Sequence, residues 1–187
     1  MDTGSPTRIA APSRTVESHA PAETARLGER VGRAVWPGDV LLLRGDLGAG
    51  KTQFARGVAA GLGIPGPIPS PTFTLVNEYE GRGAAGAAVP LAHIDLYRLG
   101  EGGDLDSVGL DEYFGGDWAV VIEWPERAVD DGFVPESYLD VAIADAGGEG
   151  RILTFTGRGD AARLLAAAQG PVQAAMARAD AGVDADG

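Results

Sequence analysis

Residues 45 to 52, Gly45-Asp46-Leu47-Gly48-Ala49-Gly50-Lys51-Thr52, carry the spacing G-x-x-x-x-G-K-[ST] of a phosphate-binding loop. Glycines allow the positive φ angles with which backbone N–H groups turn toward phosphate oxygens, and a helix beginning there adds its positive end. In this pattern Lys51 bridges the β- and γ-phosphates and the Thr52 hydroxyl coordinates Mg²⁺. Gly48, Ala49, Gly50, Lys51, Thr52 and Gln53 are the nucleotide-binding stretch this predicts. Lys51 is the one lysine among 15 Lys and Arg residues. A compact ammonium fits inside a ring of amides where a planar guanidinium does not, so the lone lysine reads as chemistry.

A loop of this kind needs an acid at the end of a second strand to support the metal, and Asp95 and Glu123 are the two candidates. Glu123 follows Ala119-Val120-Val121-Ile122, a hydrophobic strand ending in an acid. Asp95 lies in His93-Ile94-Asp95-Leu96-Tyr97-Arg98, where it could align or deprotonate an attacking water, or pair with Arg98 or His93. Ser70 and Thr72, in Ser70-Pro71-Thr72-Phe73-Thr74, could sense a γ-phosphate as a switch or make local turns at a strand entry. His93 reads as a packed or hydrogen-bonded histidine with no evident second partner. Trp36, Trp118 and Trp124 read as core or groove aromatics.

The elements that must position these groups follow from periodicity. From Thr24, the spacing Leu27, Val31, Ala34, Val35 predicts a helix stopped by the Pro37-Gly38 turn. Val40 to Leu43 is a buried strand feeding the loop, and a helix runs from Thr52 to about Leu62. The prolines at 65, 67 and 69 require a loop. Phe73 to Tyr79 and Val89 to Leu96 predict a hairpin around the Gly/Ala-rich stretch 81–88. Leu139 to Ile143 and Arg151 to Phe155 predict a closing pair. The expected fold is the three-layer α/β fold of P-loop NTPases, with a central sheet mixed by an antiparallel hairpin beside parallel strands. Residues 1–20 are expected to be a flexible tail, 21–158 the ATPase domain, and 159–187 an Ala-rich terminal helix with a fraying acidic end.

Composition bounds the rest. The chain has 187 residues, 44% hydrophobic, enough for one stable core. No apolar run approaches the roughly 18 residues of a membrane span, and the N-terminus lacks a signal-peptide pattern, which predicts a cytoplasmic protein. Absent cysteine and two histidines exclude thiolate and ordinary zinc sites, so any metal is expected to be oxygen-bound. A net charge of −12 repels a phosphate backbone, so a role with RNA requires basic partners.

These stretches together resemble one family, the TsaE ATPases that assist formation of threonylcarbamoyladenosine beside the tRNA anticodon. The resemblance runs from about Thr24 to Phe155. It rests on the loop, on Ser70-Pro71-Thr72-Phe73-Thr74-Leu75-Val76-Asn77-Glu78-Tyr79, on His93-Ile94-Asp95-Leu96-Tyr97-Arg98-Leu99 and on Ile122-Glu123-Trp124-Pro125. It implies ATP and Mg²⁺ binding and work with the TsaB and TsaD proteins, TsaD carrying the transferase step and the pair contacting the tRNA. Carried over by position, Lys51 binds phosphate, Thr52 and Glu123 match the magnesium positions, Asp95 matches the acid of hydrolysis, and the segment around Pro21 to Thr24 frames the adenine. Ile94 replaces a more usual aromatic.

On this reading hydrolysis alone is slow, because no arginine is evident in cis, and binding to TsaB and TsaD completes or exploits the site. A small-molecule kinase is the second class, disfavoured because the segment 81–88 holds only Arg82 where an arginine-bearing lid is expected. A guanine-reading N-K-x-D motif needs a second lysine that the chain does not contain. A non-catalytic module, in which ATP orders residues 70–74, is the third.

Overall fold

A computed structural model of the chain describes residues 11–99, 105 and 108–169. In chain order the elements are β1 (Ser13–Ser18), α1 (Pro21–Gly32), β2 (Val40–Arg44), α2 (Lys51–Gly61), β3 (Val76–Arg82) and β4 (Ala88–Asp95). They continue with β5 (Ala119–Glu123), α3 (Glu126–Asp130), β6 (Tyr138–Gly147), β7 (Gly150–Arg158) and α4 (Ala162–Ala167). The strands form one sheet in the order β1-β7-β6-β2-β5-β4-β3. Strands β6, β2, β5 and β4 are parallel neighbours at its centre. Strand β3 joins β4 as an antiparallel hairpin, and β7 and β1 continue the other flank antiparallel. The expected mixed P-loop α/β fold is therefore found.

The central strands are buried on both faces, as parallel strands must be, and their side chains alternate between two cores. Leu41, Leu43, Leu91 and Val121 pack under α1, α2 and α4 with Leu27, Phe54, Val58 and Leu164. Leu42, Ile94, Val120 and Ile122 face the opposite core with Leu105, Leu110 and Ala128, so the third layer consists of the short α3 and single turns.

Three expectations change. Residues 13–18 are a strand, not tail: they pair with Arg151 to Thr156 of β7. The segment shows no apolar alternation because most of its side chains are exposed, and the backbone ladder that holds it leaves no trace in composition. The first helix begins at Pro21, where proline suits a helix start, earlier than Thr24. The hairpin strand starts at Val76 instead of Phe73, since Leu75 sits at φ 66° and the N–H groups of Thr74 and Leu75 turn back onto the Pro71 carbonyl. The terminal helix spans Ala162–Ala167, and the acidic end 170–187 lies outside the described residues.

Helix α2 is held against α1 by backbone contact. A Cβ at Gly57 would strike the Ala25 carbonyl, and one at Gly28 would strike the Phe54 carbonyl, so each helix presents a glycine where the other's backbone passes. No side chain can yield there, because the obstacle is backbone. We expect Gly57→Ala to force α1 and α2 apart and to destabilise the protein on the order of 3 kcal/mol in urea unfolding, while Gly63→Ala, whose Cβ meets no atom, acts only through its positive φ and costs about 1 kcal/mol.

Candidate functional site

The carboxyl ends of β2, β5 and β4 lie side by side, and each delivers one sequence-selected group: the Gly45 to Thr52 loop, Glu123 and Asp95. Open α/β sheets bind ligands at such strand ends. Here they border a cavity of about 310 Å³ lined by Gly48, Gly50, Lys51, Thr52, Asp95 and Glu123, among others. Gly45, Gly48 and Gly50 take φ values of 136°, 79° and 106°, the left-handed turns that fold the loop around the head of α2.

Lys51 is 4% exposed. Its ammonium donates to the Gly45 carbonyl at 2.5 Å and the Asp46 carbonyl at 2.9 Å, and lies 3.6 Å from the centre of the Trp124 ring. Burial lowers its pKa below the ordinary 10.5, opposed by the carboxylates of Glu123, Glu126, Asp95 and Asp46. Trp124 reaches this position through a left-handed backbone at φ 58°, a conformation costing a bulky residue about 1–2 kcal/mol. That turn folds the chain back immediately after Glu123 and brings the indole over the ammonium.

Glu123 is 2% exposed and has both oxygens engaged. Thr52 Oγ1 donates to Oε2 at 3.0 Å, and His93 Nε2 lies 2.9 Å from Oε1. His93 thus has the second partner that its local sequence does not reveal. Thr52 and Glu123 supply oxygen donors of the kind a hard divalent cation takes. Among the described residues no group of three His, Cys, Asp or Glu side chains could hold an ion by itself.

Asp95 forms neither of the ion pairs that its neighbours suggested. Thr72 Oγ1 donates to Oδ2 at 2.6 Å, Ser70 Oγ at 3.0 Å, and the Tyr97 N–H to Oδ1 at 2.9 Å. Arg98 instead lies 4.1 Å from the Phe73 ring centre. The Asp95 N–H bonds the Leu75 carbonyl, which fastens the end of the Ser70 to Leu75 segment to β4. The two hydroxyls are therefore more than local turn formers, since both converge on a carboxylate some 25 residues away in sequence.

Two arginines join the site. Arg56, on α2, lines the cavity, with Nε on the Ile68 carbonyl at 3.0 Å and Nη1 3.4 Å from Gln53 Oε1. Helical side chains slant toward the helix N-terminus, which brings this guanidinium back to the phosphate end. An arginine is thus present in cis, contrary to the reading of the sequence. Arg151, from β7, donates to the Ala49 carbonyl at 3.0 Å and the Gly48 carbonyl at 3.3 Å, bracing the loop from behind. Pro21 and Ala49 are not on the cavity wall. Pro21 opens α1, whose first turn brings Thr24 beside Gly50, and Ala49 gives its N–H to the Asp46 carbonyl at 3.1 Å.

A family model described as threonylcarbamoyl adenosine biosynthesis protein TsaE matches residues 18–153. The chain belongs to the TsaE family. The chain is similar to the tRNA threonylcarbamoyladenosine biosynthesis protein TsaE of Bacillus subtilis, with 39% identity over 78% of this chain and 86% of that protein. It is also similar to the proteins of the same name from Treponema pallidum, 41% over 67% and 87%, and Streptomyces coelicolor, 37% over 72% and 90%. Among solved structures, Bacillus subtilis YdiB matches with a TM-score of 0.67 at 36% identity, covering 83% of this chain and 93% of that one.

In this TsaE-family chain Arg56 lies one helical turn beyond Thr52 and Gln53, on the same face of α2, which is the one signal the sequence carried for it; that its guanidinium lines the cavity is decided by the fold. Arg151 carried none, being about 100 residues from the carbonyls it holds. Trp124 was visible as a groove aromatic, but its contact with Lys51 depends on a backbone angle that residue type disfavours.

Removing the two hydroxyls with Ser70→Ala and Thr72→Val leaves a buried carboxylate holding one backbone N–H. We expect a loss of about 2–3 kcal/mol in urea unfolding and faster amide exchange across residues 63–75. An unchanged midpoint with unchanged exchange would show that these bonds do not hold the segment.

Proposed function

We propose that this protein binds and hydrolyses ATP with Mg²⁺ as an accessory factor in threonylcarbamoyladenosine formation on tRNA, acting with TsaB and TsaD in the cytoplasm. The observation that carries the reading is the convergence of Lys51, Thr52, Asp95 and Glu123 on one cavity behind a glycine-rich loop. Membership of a family named for threonylcarbamoyl adenosine biosynthesis supports the pathway. Among the described residues no helix is long and apolar enough to cross a membrane. A charge of −12 favours tRNA contact through the partners instead of through this chain.

The residues fit the roles. When phosphates enter, Lys51 exchanges the Gly45 and Asp46 carbonyls for β- and γ-phosphate oxygens, which are stronger acceptors for an ammonium. Thr52 and Glu123 are the residues that would hold Mg²⁺, and the bound ion would neutralise charge on the triphosphate. Ser70 and Thr72 sit where a γ-phosphate can draw their hydroxyls from Asp95. Asp95 is then free to align a water whose oxygen bonds to the γ-phosphorus as the bond to the ADP oxygen breaks. Arg56 offers a positive group to the same phosphates, so partner control falls on arranging the site and not on supplying its only arginine.

The Ser70–Thr72–Asp95 network also favours a second reading, a nucleotide-gated module in which ATP rearranges this segment for a partner and hydrolysis is incidental. The rate of ATP hydrolysis by the purified protein, with and without TsaB, TsaD and tRNA, tests the proposal. A slow basal rate that the partners change, and that Lys51→Ala abolishes, is the expected result. Asp95→Asn is expected to keep ATP binding and to lower turnover on the order of 100-fold. Unchanged partner-dependent tRNA modification in that variant would favour the module, and partner-independent phosphate transfer to a small acceptor would make the protein a kinase.

A further inference from the structure

His93 is wholly buried in the middle of the sheet, on β4 between Asn77 of β3 and Val121 of β5. Among the described residues its ring makes one polar contact, Nε2 to Glu123 Oε1 at 2.9 Å, and Nδ1 has no partner. A buried imidazole with an unpaired nitrogen is a poor core residue, because desolvating that atom is uncompensated and a leucine would pack without the loss. The single bond that it does make is therefore the reason to look for a role.

Glu123 sits two strand positions along from the residue opposite His93, on the same face of the sheet, so the ring and the carboxylate meet diagonally across β4 and β5. With Oε1 held by the ring, the carboxylate cannot rotate freely, and Oε2 is aimed at Thr52 Oγ1, 3.0 Å away. With the hydrogen on Nε2, the ring donates to Glu123 Oε1.

We infer that His93 is a positioning residue that orients Glu123, and through it the Thr52 hydroxyl, for the metal that accompanies the nucleotide. This rests on the ATP and Mg²⁺ reading above. Carboxylates that support a metal lose much of their value when free to turn, and the hydrogen bond behind them is worth about 10- to 100-fold in affinity. His93 acts only through Glu123; the loop amides and Lys51, which hold the phosphates directly, do not depend on it.

The test compares wild type, His93→Gln and His93→Asn, each titrated with Mg²⁺ in the presence of a fluorescent non-hydrolysable ATP analogue and each assayed for analogue binding in a chelator. A glutamine amide reaches the place of Nε2 and can donate to Glu123; an asparagine amide ends near Nδ1 and cannot. Binding in chelator is expected to be equal in all three. The Mg²⁺ concentration for half-maximal enhancement is expected to rise about tenfold or more in His93→Asn and to stay near wild type in His93→Gln. Equal Mg²⁺ midpoints in wild type and His93→Asn overturn the proposal, as does an equal rise in both variants accompanied by weaker binding in chelator, which would mark His93 as structural. If His93→Asn does not fold, His93→Leu, which fills the site and cannot donate, takes its place: a tenfold rise there beside a wild-type midpoint in His93→Gln supports the proposal, and a wild-type midpoint in both overturns it. Failure of wild type to bind the analogue under any condition overturns the ATP reading and this inference with it, whereas intact wild-type binding with an Mg²⁺ response indifferent to His93 overturns this inference alone.

Discussion

The structure turns on an ammonium kept almost out of water at the ends of three parallel strands. A charge that deep is tolerated only where acceptors surround it, and Lys51 has two loop carbonyls, the face of Trp124 and the field of nearby carboxylates. Each of those supports imposes a demand elsewhere. The carbonyls point inward only if the loop turns left-handed at its glycines. The indole lies over the ammonium only because Trp124 accepts a backbone conformation unusual for its size. Glu123 and Asp95 must themselves be buried, and each then requires hydrogen-bond donors: Thr52 and His93 for one, Ser70, Thr72 and the Tyr97 amide for the other.

Rigid neighbours meet these demands. The head of α2 carries Lys51 and Thr52, and its height over the sheet is set by α1, against which it packs backbone to backbone. Arg151 reaches from β7 to the outer side of the loop, so the flank built from β1, β7 and β6 contributes to the site although none of its residues lines the cavity. The one flexible-looking component, the proline-rich segment before β3, is tied at Ile68 by Arg56, at Ser70 and Thr72 by Asp95, and at Leu75 by the Asp95 N–H. Ile64 and Ile68 anchor its first half in the apolar core, whereas Ser70, Thr72 and Leu75 are held by hydrogen bonds, the kind of attachment that a charged ligand can exchange.

Much of this was legible. The loop is contiguous in sequence, so its motif could be read entire. Val40 to Leu43 and Ala119 to Ile122 announced themselves as doubly buried strands by unbroken apolar runs, and the acid at the end of the second marked Glu123. The edge strand β1 was not legible, because a strand that exposes most of its side chains has no period to read. The pairing of His93 with Glu123 was not legible either, since the two lie 30 residues apart and meet only through the register of β4 on β5.

By itself, then, the sequence determined the chemistry available: one lysine in a phosphate-binding loop, a threonine beside it, two acids at strand ends and two hydroxyls after a proline-rich turn. Local spacing encodes these because each depends on residues within a few positions of one another. Only the tertiary structure decided which acid faces which donor, that an arginine stands in cis, and that a buried histidine backs Glu123. Those contacts are set by strand order and register, which arise from packing the whole chain and cannot be expressed in any short stretch of it.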